Sequence, residues 1–194
     1  MRSGLAVVLL VSIVGSQSVS AQHGGAAANL TVNAPREVSQ LDFLVGDWDL
    51  DVKVPATTFA AKIHGMPKLV GTWRVRKALD GWGLEDDMKI TDVAGNPKSM
   101  VHAVRYFDRN TRKWAISGLD VYRGKFSTST AEWRDGEMRI SGSGKDSDGK
   151  THLIRTRVYD ISQKGFKFRQ ERSEDQGKTW KEAISMQASR ASRT

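Results

Sequence analysis

The four histidines, His23, His64, His102 and His152, carry the imidazoles available for acid–base or metal chemistry, and none stands at a paired ligand spacing. A zinc site therefore has no support, and what remains is proton transfer by a single base, His152 or His102. Asp47, Asp49 and Asp51 alternate as they do in a calcium loop. Val52, however, stands where the loop needs glycine, and Thr58 where it needs a bidentate glutamate. No nucleophile elbow, phosphate loop or dinucleotide fingerprint occurs, so no cofactor is expected.

One motif is complete. Ser173-Glu174-Asp175-Gln176-Gly177-Lys178-Thr179-Trp180 matches the Asp-box, Ser-x-Asp-x-Gly-x-Thr-Trp, at every defined position. In the sialidases this box resembles, it recurs in successive propeller blades and lies away from the active site. Here it occurs once, in a chain of 194 residues that is too short for a propeller. Its physics is local. Ser173 and Asp175 can bond turn amides, Gly177 can take positive φ, and Trp180 can pack under the turn. It reads as a hairpin staple, not as a glycosidase marker.

The elements that position these residues alternate at period two. Trp48, Leu50, Val52 and Val54 share one face, while Asp47, Asp49, Asp51 and Lys53 share the other, a strand with one dry side and one wet side. Similar segments follow near Leu69–Leu79, Trp82–Thr91, Ser99–Phe107, Arg112–Val121, Lys125–Trp133 and Glu137–Gly144. Three more run near Thr151–Tyr159, Phe166–Arg172 and Trp180–Ala188. Asp80-Gly81, Asp135-Gly136, Asp148-Gly149, Lys164-Gly165 and Gln176-Gly177 supply turns with positive φ between them. Short turns between sequential strands give an antiparallel up-and-down meander, and closing it removes the exposed edges. The expected fold is all-β: one barrel of eight to ten strands over residues 36–190, with Arg36 to Leu44 as a short helix plugging one end.

Turn lengths decide which side chains point inward. A two-residue Asp135-Gly136 loop pairs Trp133 with Met138, Ala131 with Ile140 and, on the wet face, Glu132 with Arg139. Ser127, Ser129 and Gly142 then share the inner face, and their small size leaves room for a cavity. A two-residue Arg109-Asn110 loop places Arg105 inside, opposite Trp114. There the guanidinium either stiffens the wall as a cation–π partner or orients an anionic ligand. A two-residue Asp148-Gly149 loop sends Leu153, Arg155, Arg157 and Tyr159 inward. A three-residue loop with Gly149 as the bulge sends in His152, Ile154, Thr156 and Val158 instead, and suits a core better because it buries no arginine. Arg105, Trp114, Ser129, His152 and Thr156 are thus the candidate ligand-binding residues.

The N-terminus reads as a targeting segment. Arg2 supplies the positive charge, Leu5 to Val14 an apolar stretch too short to span a bilayer, and Val19-Ser20-Ala21 the small residues of a cleavage site. Cleavage is expected between Ala21 and Gln22, with residues 22–35 as a flexible leader and a secreted or periplasmic mature protein. No integral membrane segment is expected after cleavage. Without cysteine there is neither a disulfide framework nor a lipidation site, so the core alone must hold the domain. Losing Arg2 takes the net charge from +8 to +7. The basic residues are scattered singly (Arg74, Arg76, Arg105, Arg155, Arg157, Arg169), which argues for a solvated surface and against a nucleic-acid partner.

Gly46-Asp47-Trp48 opening the first strand, after a short helix and before a β-meander, resembles the calycin superfamily of lipocalins, fatty-acid-binding proteins and nitrobindins. Within it the chain looks most like bacterial secreted lipocalin-like domains of unknown function. Leu41-Asp42-Phe43-Leu44-Val45-Gly46-Asp47-Trp48 and the Tyr106-Phe107-Asp108 turn carry that likeness. The resemblance implies a basic residue of the last strand, Arg190 or Lys181, packed on the Trp48 indole. The late histidine that holds haem in nitrobindins has no counterpart in the final 42 residues. The expected function is binding of a small amphipathic ligand, anionic if Arg105 orients it. The alternatives are a barrel enzyme using His152 or His102, and a surface-interaction protein using its positive charge.

Overall fold

The computed structural model describes residues 33–56, 66–146 and 148–192. The cleavage site, residues 22–32 of the proposed leader, and His23, His64 and Thr58 lie outside the described residues, whereas residues 33–35 of the leader are described and Pro35 is buried. Among the described residues ten strands run in sequence order: β1 Gly46–Lys53, β2 Leu69–Ala78, β3 Gly83–Asp92, β4 Pro97–Asp108 and β5 Lys113–Asp120 on one half. The other half is β6 Lys125–Arg134, β7 Glu137–Lys145, β8 Thr151–Tyr159, β9 Gly165–Ser173 and β10 Lys181–Arg190. Every neighbour is antiparallel, and β1 pairs with both β2 and β10, so the meander closes into a barrel. No helix among the described residues is long and apolar enough to cross a membrane.

A 3-10 helix, Arg36–Leu44, covers one end. Its buried residues Val38, Leu41 and Leu44 recur every third position, the period at which side chains of a 3-10 helix superpose. They sit on an aromatic cluster in which Phe166 meets Trp48 at 4.8 Å, Trp73 at 5.7 Å and Phe43 at 5.7 Å between ring centroids. These are tilted and edge-on contacts, the arrangement that aromatic quadrupoles favour.

Trp48 is 1% exposed and donates its indole N–H to Leu44 O at 2.7 Å. The arginine above it is Arg190, not Lys181: its guanidinium carbon lies 3.8 Å from the indole centroid. Arg190 also donates to Val45 O at 2.6 Å and to Phe43 O at 3.4 Å, capping carbonyls at the end of the helix. Gly46 is required here on two counts. Its φ is 129°, and a Cβ would occupy the place of the Arg190 guanidinium.

Turn chemistry sets the registers. Asp135 (φ 53°) and Gly136 (φ 77°) form the two-residue loop, and Trp133–Met138, Ala131–Ile140 and Glu132–Arg139 are partners as expected. The charge pairing differs from expectation. Arg139 reaches Asp135 at 3.1 Å and Glu137 at 3.7 Å instead of its register partner Glu132. At the next hairpin Lys145 pairs with Thr151 and Asp146 N bonds Lys150 O, leaving a three-residue loop with Gly149 at φ 82°. Among the five glycine turns, Gly165 departs from expectation: the positive φ of that connection falls on Asp160.

The β4–β5 connection corrects the expected register. Asp108 pairs with Lys113, so the loop holds four residues, not two. Asp108 accepts from Asn110 N and Thr111 Oγ1 at 2.9 Å each, and Arg112 takes φ 53° to re-enter the sheet. Arg105 therefore faces Ile116, and Trp114 faces Phe107. A shift of two residues keeps every side chain on its own face, so Arg105 stays inside.

The Asp-box hairpin has the expected local bonds. Asp175 accepts from Ser173 Oγ at 2.7 Å, Thr179 N at 2.8 Å and Thr179 Oγ1 at 2.6 Å. Gly177 N donates to Ser173 Oγ at 2.8 Å, and Trp180 Nε1 to Gly177 O at 3.0 Å. The Thr179 and Ser173 donors hold the Asp175 carboxyl at about 2, below the usual 3.8. A carboxyl lowered on folding adds stability above its unfolded value and loses it as pH falls through the folded one. Between pH 4 and 2, Asp175→Asn should therefore flatten the fall of melting temperature relative to wild type. Parallel wild-type and variant curves over that range would refute the assignment.

Candidate functional site

The inner faces of β2 to β9 leave a cavity of about 240 Å³. Its walls are apolar where Met88, Val101, Ile116, Ile140, Ile154 and Phe168 point in, and its space comes from Gly118, Ser127, Ser129 and Gly142. Small side chains at those four positions are what keep a barrel of this size from filling itself.

The polar part is built by three strands. Arg105 on β4 donates from Nε to Asp86 Oδ2 at 2.5 Å and from Nη2 to Asp86 Oδ1 at 3.1 Å. Trp73 on β2 donates its indole N–H to Asp86 Oδ1 at 2.8 Å, and its ring lies 5.6 Å from the guanidinium carbon. Asp86 is 3% exposed and Arg105 9%. This fork-on-fork pair satisfies both carboxylate oxygens and leaves the site close to neutral. No hydrogen bond from Arg105 Nη1 occurs among the described residues, so that donor remains for an occupant. Across the cavity Gln170 Nε2 donates to Thr156 Oγ1 at 3.4 Å.

Of the residues expected from sequence, Arg105, Ser129 and Thr156 line the cavity, and Trp114 and His152 do not. Trp114 is buried at the helix-covered end and donates to Gln40 Oε1 at 3.1 Å. His152 points inward at the opposite rim. Its ring fills the space beside Gly144, and its Nδ1 lies 3.5 Å from Asp146 Oδ1 without a hydrogen bond. Arg172 reaches the same Asp146 at 2.5 Å and Glu174 at 3.2 Å. His102 lies on the outer wall, 2.9 Å from Asp87.

Sequence reasoning missed Asp86, Trp73 and Gln170. For Asp86 the signal was present: Leu84, Asp86, Met88 and Ile90 share one period-two face, so a lone carboxylate among apolar neighbours announces a buried partner. Of the arginines named from sequence, Arg74, Arg105, Arg155, Arg157 and Arg169 each meet a carboxylate across strands, so they do not form an unpaired basic patch.

The ten-stranded antiparallel barrel with Arg190 on the Trp48 indole is consistent with a calycin-like fold. No protein-family model matches the chain, and no curated protein matches it either.

Proposed function

We propose that the protein is a secreted or periplasmic binder of a small amphipathic molecule, held in the barrel cavity without turnover. The observation that carries this reading is a lumen left open by small residues and floored by the Arg105–Asp86–Trp73 group. Ligand pockets combine mostly apolar walls with a few fixed polar groups in this way. At about 240 Å³ the space lies below the roughly 300–1,000 Å³ of most pockets, so the part of the ligand inside is small. Because Asp86 neutralises Arg105, the floor favours a neutral hydrogen-bonding group over a free anion. Neither His102 nor His152 lines the cavity, which favours binding over catalysis. The pattern of residues 1–21 supports export.

The test is titration with the neutral fluorophore phenylnaphthylamine, read by its emission and by quenching of tryptophan. Wild type should bind, and Ser129→Phe, which fills the lumen, should weaken binding by about tenfold or more with the circular dichroism unchanged. Equal binding by the folded variant would place the probe outside the barrel and overturn the reading.

A further inference from the structure

One seam of the barrel is unzipped. Along β6–β7 the pairing runs from Arg134–Glu137 to Ser129–Gly142 and stops there. Both strands continue, β6 back to Lys125 and β7 on to Lys145, each still paired to its other neighbour. Extending the register would set Thr128 against Ser143 and Ser127 against Gly144, and neither pair forms. The inner face at this point holds small residues. Ser127, Gly142 and Gly144 offer nothing apolar to pull the strands together, and the His152 ring occupies the space beside Gly144.

The cavity reaches this notch. Thr128 and Ser143 lie on the outer face by strand parity, yet both line the lumen. Every other lining residue lies on the inner face, so a lumen bordered by these two fits an open wall at this point. In an antiparallel ladder every second residue turns its N–H and C=O toward the same neighbour. Counting from the hairpin pair Arg134–Glu137, the groups of Phe126, Thr128, Ser143 and Lys145 face the notch.

Its charge is one-sided. Lys125 and Lys145 stand at the ends of the two parted strands, with no ion pair among the described residues. Of the nearby carboxylates, Asp120, the register partner of Lys125, is engaged by Arg123 at 2.6 Å and Asp146 by Arg172 at 2.5 Å, while Asp148 accepts from Lys150 N at 3.1 Å. Phe126, 83% exposed, forms an apolar lip beside them.

We infer that the β6–β7 notch is the access route of the cavity and the seat of an anionic head group. The tail lies in the lumen, and the head lies between Lys125, Lys145 and the unpaired backbone amides. This rests on the reading of the lumen as a ligand site and adds the ligand's charge and orientation. A tail-inward anion fits both the small neutral lumen and the basic gap in its wall.

Two probes of similar shape separate the ideas: neutral phenylnaphthylamine and anionic anilinonaphthalene sulfonate. Lys125→Gln with Lys145→Gln should weaken the anionic probe about fivefold or more and leave the neutral one unchanged. The chain has no cysteine, so Thr128→Cys with Ser143→Cys can be oxidised to sew the notch shut. Oxidation should slow association and release of both probes about tenfold, and reduction should restore them. Whether or not the bridge forms, hydrogen exchange provides an independent reading. The amides of Phe126, Thr128, Ser143 and Lys145 should exchange fast in the free protein and slow when the anionic probe binds. If wild type binds both probes but no arm responds, the notch inference is overturned and the cavity reading stands. If wild type binds neither, the cavity reading falls and takes the notch with it.

Discussion

Asp86→Leu should cost about 3–5 kcal/mol of stability, because it leaves the Arg105 guanidinium inside the barrel without its counter-charge. Asp86 is 3% exposed and receives two hydrogen bonds from Arg105 and one from Trp73. Removing it orphans all three donors at once. Removing both charges is a different experiment. Asp86→Leu with Arg105→Leu replaces a buried ion pair by apolar groups, which is often neutral or stabilising. The double variant should therefore regain most of the lost stability, giving a large coupling energy in a cycle of urea denaturations. A single variant as stable as wild type would show that Arg105 is solvated from the cavity and that the pair contributes little. The same cycle bears on binding, since the double variant keeps an apolar lumen but loses the polar floor. It should retain an apolar probe and discriminate less among polar ends.

How legible this site was depends on how each side chain's position is encoded. Face is encoded by parity alone, so Arg105 could be placed inside even with its loop misjudged by two residues. Partner is encoded by loop length, and that rested on Asp108 and the positive φ of Arg112, which no dipeptide signal marks. A two-residue loop therefore sets Trp114 across from Arg105, whereas it faces Phe107, one inward position nearer the helix. The Asp135-Gly136 turn has a two-residue signature, and its whole register was readable for that reason. His152 shows the limit of parity in another way. It points inward as the three-residue loop requires, but it stands at the rim beyond the cavity, because inward says nothing about height along the axis. The parted β6–β7 seam was not readable at all. The inner positions there are Lys125, Ser127, Gly142 and Gly144, and neither they nor the outward Phe126 carry a pairing signal, while the histidine beside Gly144 comes from a third strand.

Trp48→Ala is expected to be the other costly change, destabilising the fold by about 3–5 kcal/mol through the cavity it leaves. The indole is 1% exposed and stands at the junction of three structures. It packs edge-on against Phe166 at 4.8 Å, donates to Leu44 O at the end of the helix, and lies under Arg190 of the closing strand. Alanine removes the surface on which Arg190 rests, so its bonds to Val45 and Phe43 carbonyls lose their support as well. The effect should therefore be shared with Arg190→Ala: the double variant should lose less than the sum of the two singles. Trp48→Phe keeps part of the ring but not the N–H, and should fall between. Denaturant midpoints for wild type and the four variants give the comparison. Strict additivity would mean that the strand closure and the helix cap are independent, and that the Gly46-Asp47-Trp48 opening is a local feature and not the keystone of the closed end.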